Sequence, residues 1–217
     1  MKSTLTFFLF LISIFHVLGQ TKKDSLLVFV GQKLSLTLSP EVIPNDTIIE
    51  NGDTLISVTT TTDSRFICKY KILTLLNGYY TLDTITFYAY DHYGNPEFSK
   101  YDNVLLFVTP KKNNYYHQKY QYFDVYQADN GKWASPYSTG DYNHAFKNTI
   151  SVKPELIKFK KEVFYPINKL TQNEIEKWYP KPYYKIKNGK AIAVFGNYIE
   201  DLFLLKQQTI LKARGIY

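Results

Sequence analysis

Two pairs of residues carry side chains that could do chemistry together: Asp91 with His92, and Asp141 with His144 three positions on. A carboxylate beside an imidazole can bind zinc or relay a proton, provided the fold makes the groups converge. Neither spacing is a ligand motif. Asp91, His92, Gly94, Asn95 and Pro96 are equally the composition of a strand-to-strand turn in which the Asp caps local N–H groups. The sequence holds no HExxH, GxSxG, phosphate loop or GxGxxG, which removes most zincin, serine-hydrolase and nucleotide-dependent chemistry. A glycosidase needs only two carboxylates that converge from anywhere, and no pair stands out. We therefore expect no metal and no cofactor, and lean against an enzyme. Cys68 lies in FICKYKIL, where Phe66, Cys68 and Tyr70 would share one strand face while Lys69 and Lys71 take the other. That placement predicts a buried apolar thiol rather than a nucleophile.

Aromatic residues are the densest feature. Tyr115, Tyr116, Tyr120, Tyr122, Phe123, Tyr126, Trp133, Tyr137 and Tyr142 crowd one stretch, and tyrosine combines a rigid apolar face with a hydrogen-bonding tip suited to sugar rings or protein interfaces. The candidate binding residues are Tyr116, Tyr120, Tyr122, Tyr126 and Trp133. On a strand starting at Lys119, Tyr120, Tyr122 and Asp124 would face one way, with Phe123 and Val125 facing the other.

These residues belong to a chain with an export signature. Lys2, the apolar run Leu5 to Leu18 and Val17-Leu18-Gly19 before Gln20 have the layout of a secretory signal peptide over 1–19, with an apolar core too short to span a bilayer. We expect a periplasmic or secreted protein. A single cysteine in the exported part permits no intramolecular disulfide, and no second apolar run approaches the length of a membrane span. Charge is uneven: residues 20–110 carry 7 basic and 10 acidic side chains, residues 152–217 carry 13 and 6. A basic C-terminal third outside the cell could meet an acidic glycan or an envelope protein, and nucleic acid is not expected there.

Strand signals run from Leu26 to Tyr126. Leu34, Leu36 and Leu38 alternate with Lys33, Ser35 and Thr37, which predicts a half-buried strand. Asn51-Gly52 predicts a tight hairpin, with Glu50 and Asp53 opposed. RFICKYKILTLL, DTITFYAYD and NVLLFV follow as strands, the last without polar interruption after its Asn, as for burial on both faces. Residues 132–170 read mostly as loop, with short strands near Leu156 to Phe164. Thr171 and Glu174 form a capping box for a helix over 172–178, Asn188-Gly189 centres a hairpin over 183–195, and Asn197 with Glu200 opens a helix over 198–213. Its apolar face would be Ile199, Leu202, Phe203, Ile210 and Ala213, with Lys206 among the cations near the negative end of its dipole.

The succession from Val28 to Val108 resembles the netrin-like, tissue-inhibitor-of-metalloproteinase type of OB barrel. The matching stretches are Val28-Phe29-Val30-Gly31, YKILTLLNG, Asp83-Thr84-Ile85-Thr86-Phe87 and Leu105-Leu106-Phe107-Val108. The family's paired cysteines and its zinc-gripping N-terminal Cys are absent, so protease inhibition does not carry over. The expected fold is mainly β, α+β overall: a small antiparallel OB-like barrel over 20–128, and an α+β extension over 129–217 packed on it. An immunoglobulin-like sandwich is the alternative, without that fold's Cys, Trp and Cys. The expected function is a non-catalytic binding or accessory protein of the periplasm or cell exterior. The alternatives are an exported hydrolase or metal-dependent enzyme using Asp91 and His92 with Asp141 and His144, and a structural envelope component.

Overall fold

The computed structural model describes residues 26–40, 46–50, 53–57 and 62–217. The expected signal peptide and the Asn51-Gly52 turn lie outside the described residues. The protein is mainly β. Its first half contains β1 (Leu27–Leu38), β2 (Asp46–Glu50), β3 (Asp53–Ser57), β4 (Ser64–Asn77), β5 (Thr84–Asp91), β6 (Asn103–Lys111) and β7 (Asn114–Asp124). β1 is hydrogen-bonded to β4 on one edge and to β6 on the other, so the five-stranded order β1-β4-β5-β7-β6 closes on itself. All neighbours are antiparallel except β5 and β7, joined in parallel at Tyr88 and Tyr116. β2 and β3 pair separately, with Glu50 opposite Asp53.

Alternation explains the two sides of the closed sheet. Phe66, Cys68 and Tyr70 of β4, Ile85, Phe87 and Ala89 of β5, and Val104, Leu106 and Val108 of β6 fill one apolar cluster. Leu105 and Phe107 point the opposite way and pack with Leu202, Leu205 and Leu211 from the C-terminal helices. Val104 to Val108 are apolar throughout because both faces of β6 are covered there. The Leu34 to Leu38 expectation fails in part: Leu34 and Leu38 are 52 % and 57 % exposed, while Leu26 to Gly31 are buried. β1 meets β6 only as far as Gln32, and its later residues are mostly exposed, although Leu36 still packs against the interior cluster.

The second half begins with β8 (Tyr126–Gln127), β9 (Trp133–Pro136), a short α1 (Thr139–Tyr142), β10 (Glu155–Leu156) and β11 (Phe164–Pro166). It continues with α2 (Gln172–Trp178), β12 (Tyr184–Lys187), β13 (Lys190–Ala193), β14 (Phe195–Tyr198), α3 (Ile199–Gln208) and α4 (Ile210–Ala213). One sheet has the order β10-β14-β9-β8 and another β11-β13-β12. Residues 132–170 thus hold more structure than the sequence suggests. α2 starts as its capping box requires: Thr171 Oγ1 accepts the Glu174 N–H, and Glu174 Oε2 accepts the Thr171 N–H at 2.8 Å. Asn188 and Gly189 turn β12 into β13 with φ of 50° and 69°, the left-handed pair that a two-residue hairpin demands.

The final helix departs from expectation in three ways. Its N-cap is Tyr198, without a side-chain bond; Asn197 is buried instead, accepting from the Tyr142 hydroxyl at 2.8 Å and donating to the Lys153 carbonyl at 2.9 Å. It breaks at Thr209 into α3 and α4. Its buried face is Ile199, Leu202, Leu205, Lys206 and Leu211, whereas Ala213 is exposed.

Candidate functional site

β7 does not run as a simple alternating strand. Leu106 pairs with Tyr122 and Val108 with His117, so four residues of β7, Gln118 to Gln121, oppose Phe107 alone. Such a bulge bends a strand and re-aims its side chains. Tyr120 sits at its tip with φ 65°, which corrects the expectation that Tyr120, Tyr122 and Asp124 share one plain strand face. The bulge is pinned from several sides: the His117 ring bonds the Gln121 carbonyl through Nε2 at 2.8 Å, Arg214 donates to Gln118 and to the Lys119 carbonyl, and Lys119 pairs with Asp63 at 2.5 Å.

Below the bulge lies an open groove of two adjoining hollows, of about 350 and 280 Å³, which share Asp124, Ser138 and Gly140. Tyr120, Tyr122, Asp141, His144 and Lys206 line the larger; Tyr137, Tyr165, Trp178, Tyr179 and Tyr184 line the smaller. The Asp124 carboxylate accepts the Tyr165 hydroxyl at 2.6 Å and the Tyr126 hydroxyl at 3.0 Å. Burial pushes the Asp124 carboxyl above its usual range, against those two hydrogen bonds, which favour the ionised form. The same burial, and then the Asp124 charge, raise the phenols of Tyr126, Tyr165 and Tyr184. Aromatic faces meet edge and plane: Tyr165 stacks on Tyr179 at 5.5 Å and Tyr179 meets Tyr184 edge-on at 5.1 Å.

Asp141 is held on both oxygens. Oδ1 pairs with the Lys206 ammonium, and Oδ2 accepts the Ser138 hydroxyl at 2.7 Å. Lys206 is 4 % exposed, donates also to Gln121 Oε1 at 3.0 Å, and lies 4.5 Å from the Phe123 ring centre. His144 accepts the Phe146 N–H on Nδ1 at 3.2 Å. Comparison with family models, curated proteins and solved structures finds no match to this chain.

The remaining sequence candidates fall elsewhere. Asp91 accepts the Tyr93 N–H at 2.9 Å, the turn bond its context implies, and His92 reaches the Thr62 carbonyl through Nδ1 at 2.8 Å. Asp91 lines a small void with His117, and not the hollow that Asp141 and His144 line, although Tyr120 and Tyr122 border both. Among the described residues no group of three or more His, Cys, Asp or Glu is placed to hold a metal ion. Tyr116 is half-buried against Tyr88, ring centres 5.6 Å apart, while Tyr126 and Trp133 line a separate cavity. The Cys68 thiol is buried and pushed up to about 12 by desolvation, as an inert core position should be. Sequence reasoning missed Lys206, Asp124 as the hub, and the Tyr165, Trp178, Tyr179 and Tyr184 wall. A visible signal for that wall was the second aromatic run at 178–184.

Proposed function

We propose that this is an exported, non-catalytic binding or accessory protein of the periplasm or cell exterior, and that a saccharide lies in the aromatic groove over Asp124. The groove carries the reading: exposed flat rings, Tyr120 at 46 % and Trp178 at 44 %, flank a carboxylate at its floor. Rings stack on the apolar faces of sugars, and a carboxylate accepts their hydroxyls. Both Asp141 oxygens are engaged within the fold and the only thiol is buried, which favours binding over catalysis. Export rests on the pattern of residues 1–19. For the fold type we keep the OB barrel, of netrin-like character, ahead of the sandwich. Its support is the closed order, a meander of three strands followed by the last two exchanged, as in a Greek-key barrel.

The test is affinity electrophoresis of the purified chain through gels containing neutral and acidic polysaccharides. The native chain should be retarded by at least one, and Tyr120→Ala with Trp178→Ala should run freely at unchanged far-UV circular dichroism. Retardation by none, or equal retardation of the variant, overturns the reading. A hydrolase is the second reading, because Asp124 with its raised pKa lines the same groove as Asp141. Release of reducing ends from a retarding polysaccharide, lost in Asp124→Asn, would establish it.

A further inference from the structure

A further cavity, of about 530 Å³, is lined in part by Tyr126, and the groove reading makes no use of it. Both residues of β8 line it. Tyr126 points its hydroxyl to Asp124 at 3.0 Å while also lining this cavity, together with the rings of Tyr101 and Trp133. The amides of Asn103 and Gln127 add donors and acceptors to the wall. Lys160 and Lys161 stand at the rim, held beside β8 by the bond from the Lys160 N–H to the Gln127 carbonyl at 2.9 Å.

The charges at the rim are not all available. Lys100 is paired with Glu97 at 2.6 Å, and Glu162 lies 3.9 Å from Lys190. Among the described residues Lys160 and Lys161 pair with no carboxylate and Asp102 pairs with no cation, so two exposed lysines and one carboxylate border the cavity without an ion-pair partner. We infer that this cavity is a second binding site, for a sugar ring that bears a carboxylate. The three aromatic side chains offer faces for the ring, the amides serve its hydroxyls, and Lys160 and Lys161 take the anion. The inference stands apart from the groove, and the molecule supplies a separate reporter for each: Trp133 lines the cavity and Trp178 the groove, and the chain has no other tryptophan.

The experiment is a fluorescence titration of the full chain in two single-tryptophan variants, Trp178→Phe and Trp133→Phe, with galacturonic acid, galactose and inorganic phosphate. In Trp178→Phe, galacturonic acid should shift the Trp133 emission saturably and more weakly at higher salt. Replacing Lys160 and Lys161 by Ala, exposed positions whose loss leaves the core intact, should weaken that binding about tenfold, the loss of a hydrogen bond to a charged group. A silent Trp133 overturns the inference. So does an equal response to galactose, which removes the need for an anion, or to phosphate, which removes the need for a ring. If only Trp178 in Trp133→Phe responds, the cavity inference falls and the groove reading gains support; if only Trp133 responds, the cavity inference stands, and the groove reading is decided by the electrophoresis above.

Discussion

The Lys206 ammonium, from α3, is buried against the Asp141 carboxylate of α1, with Gln121 of the β7 bulge as its second partner. Three segments far apart in sequence are tied at that one nitrogen, which sets the wall of the groove. A buried cation is tolerated only when its hydrogen bonds are supplied, and here a carboxylate, an amide oxygen and the Phe123 ring supply them.

Removing the ammonium strands the carboxylate. Lys206→Met should therefore cost about 3 kcal/mol in urea unfolding, and the double variant with Asp141→Leu should recover part of that loss. A cost within about 0.5 kcal/mol of zero, the range of ordinary surface changes, would show that the pair is not the tie described.

His117 is packed 4.5 Å from the Phe98 ring centre, and desolvation lowers its pKa from 6.5 to about 4, outweighing the bond to the Gln121 carbonyl. Above pH 6.5 both folded and unfolded states hold it neutral. Between 6.5 and 4 the unfolded chain binds a proton that the folded chain refuses, so stability falls as pH falls. The native chain should lose up to about 3 kcal/mol more than His117→Gln between pH 7.5 and 4. Parallel pH profiles for the two proteins would contradict this.

Tyr70 is fully buried, 5.5 Å from Phe87 and 6.0 Å from Phe98 by ring centres, and its hydroxyl has no hydrogen-bond partner among the described residues. An unpaired buried hydroxyl costs about 1–3 kcal/mol. Tyr70→Phe should raise the midpoint of thermal unfolding, and a lowered midpoint would mean that the hydroxyl is satisfied in solution.

Cys68 faces the same interior, with its thiol held neutral until about pH 12. Iodoacetamide at pH 8 should leave the folded chain unlabelled and label it fully in denaturant. Fast labelling of the native chain would contradict the burial described.

How far these features could be read from residues alone differs by kind. The burial of Phe66, Cys68 and Tyr70 on one face, the turn role of Asp91, the capping box at Thr171 and the hairpin at Asn188-Gly189 depend on neighbours within a few positions, so local period and turn chemistry reveal them. The crowding of aromatic residues around Tyr120 and Tyr122 was legible, but the bulge that re-aims Tyr120 was not, since it depends on register with β6 and on bonds from Arg214 and Asp63. Lys206 reads locally as a cation suited to a helix end; only the packing of α3 on the outer face of β6 buries it.

The sequence by itself determined the burial pattern of β4 and β5, the capping box of α2 and the turn at Asn188-Gly189, because pleat alternation, capping and left-handed turn positions are properties of adjacent residues. Tertiary structure alone decided which distant groups share a space. It brought Asp141 and His144 beside Tyr122 and Asp124, left Asp91 and His92 in a turn, and assigned Tyr126 and Trp133 to a different cavity. The reason is physical: closing β1 onto β6 and laying α3 over them brings residues 120, 141 and 206 together, and no local pattern encodes where a closed sheet meets the segment that covers it.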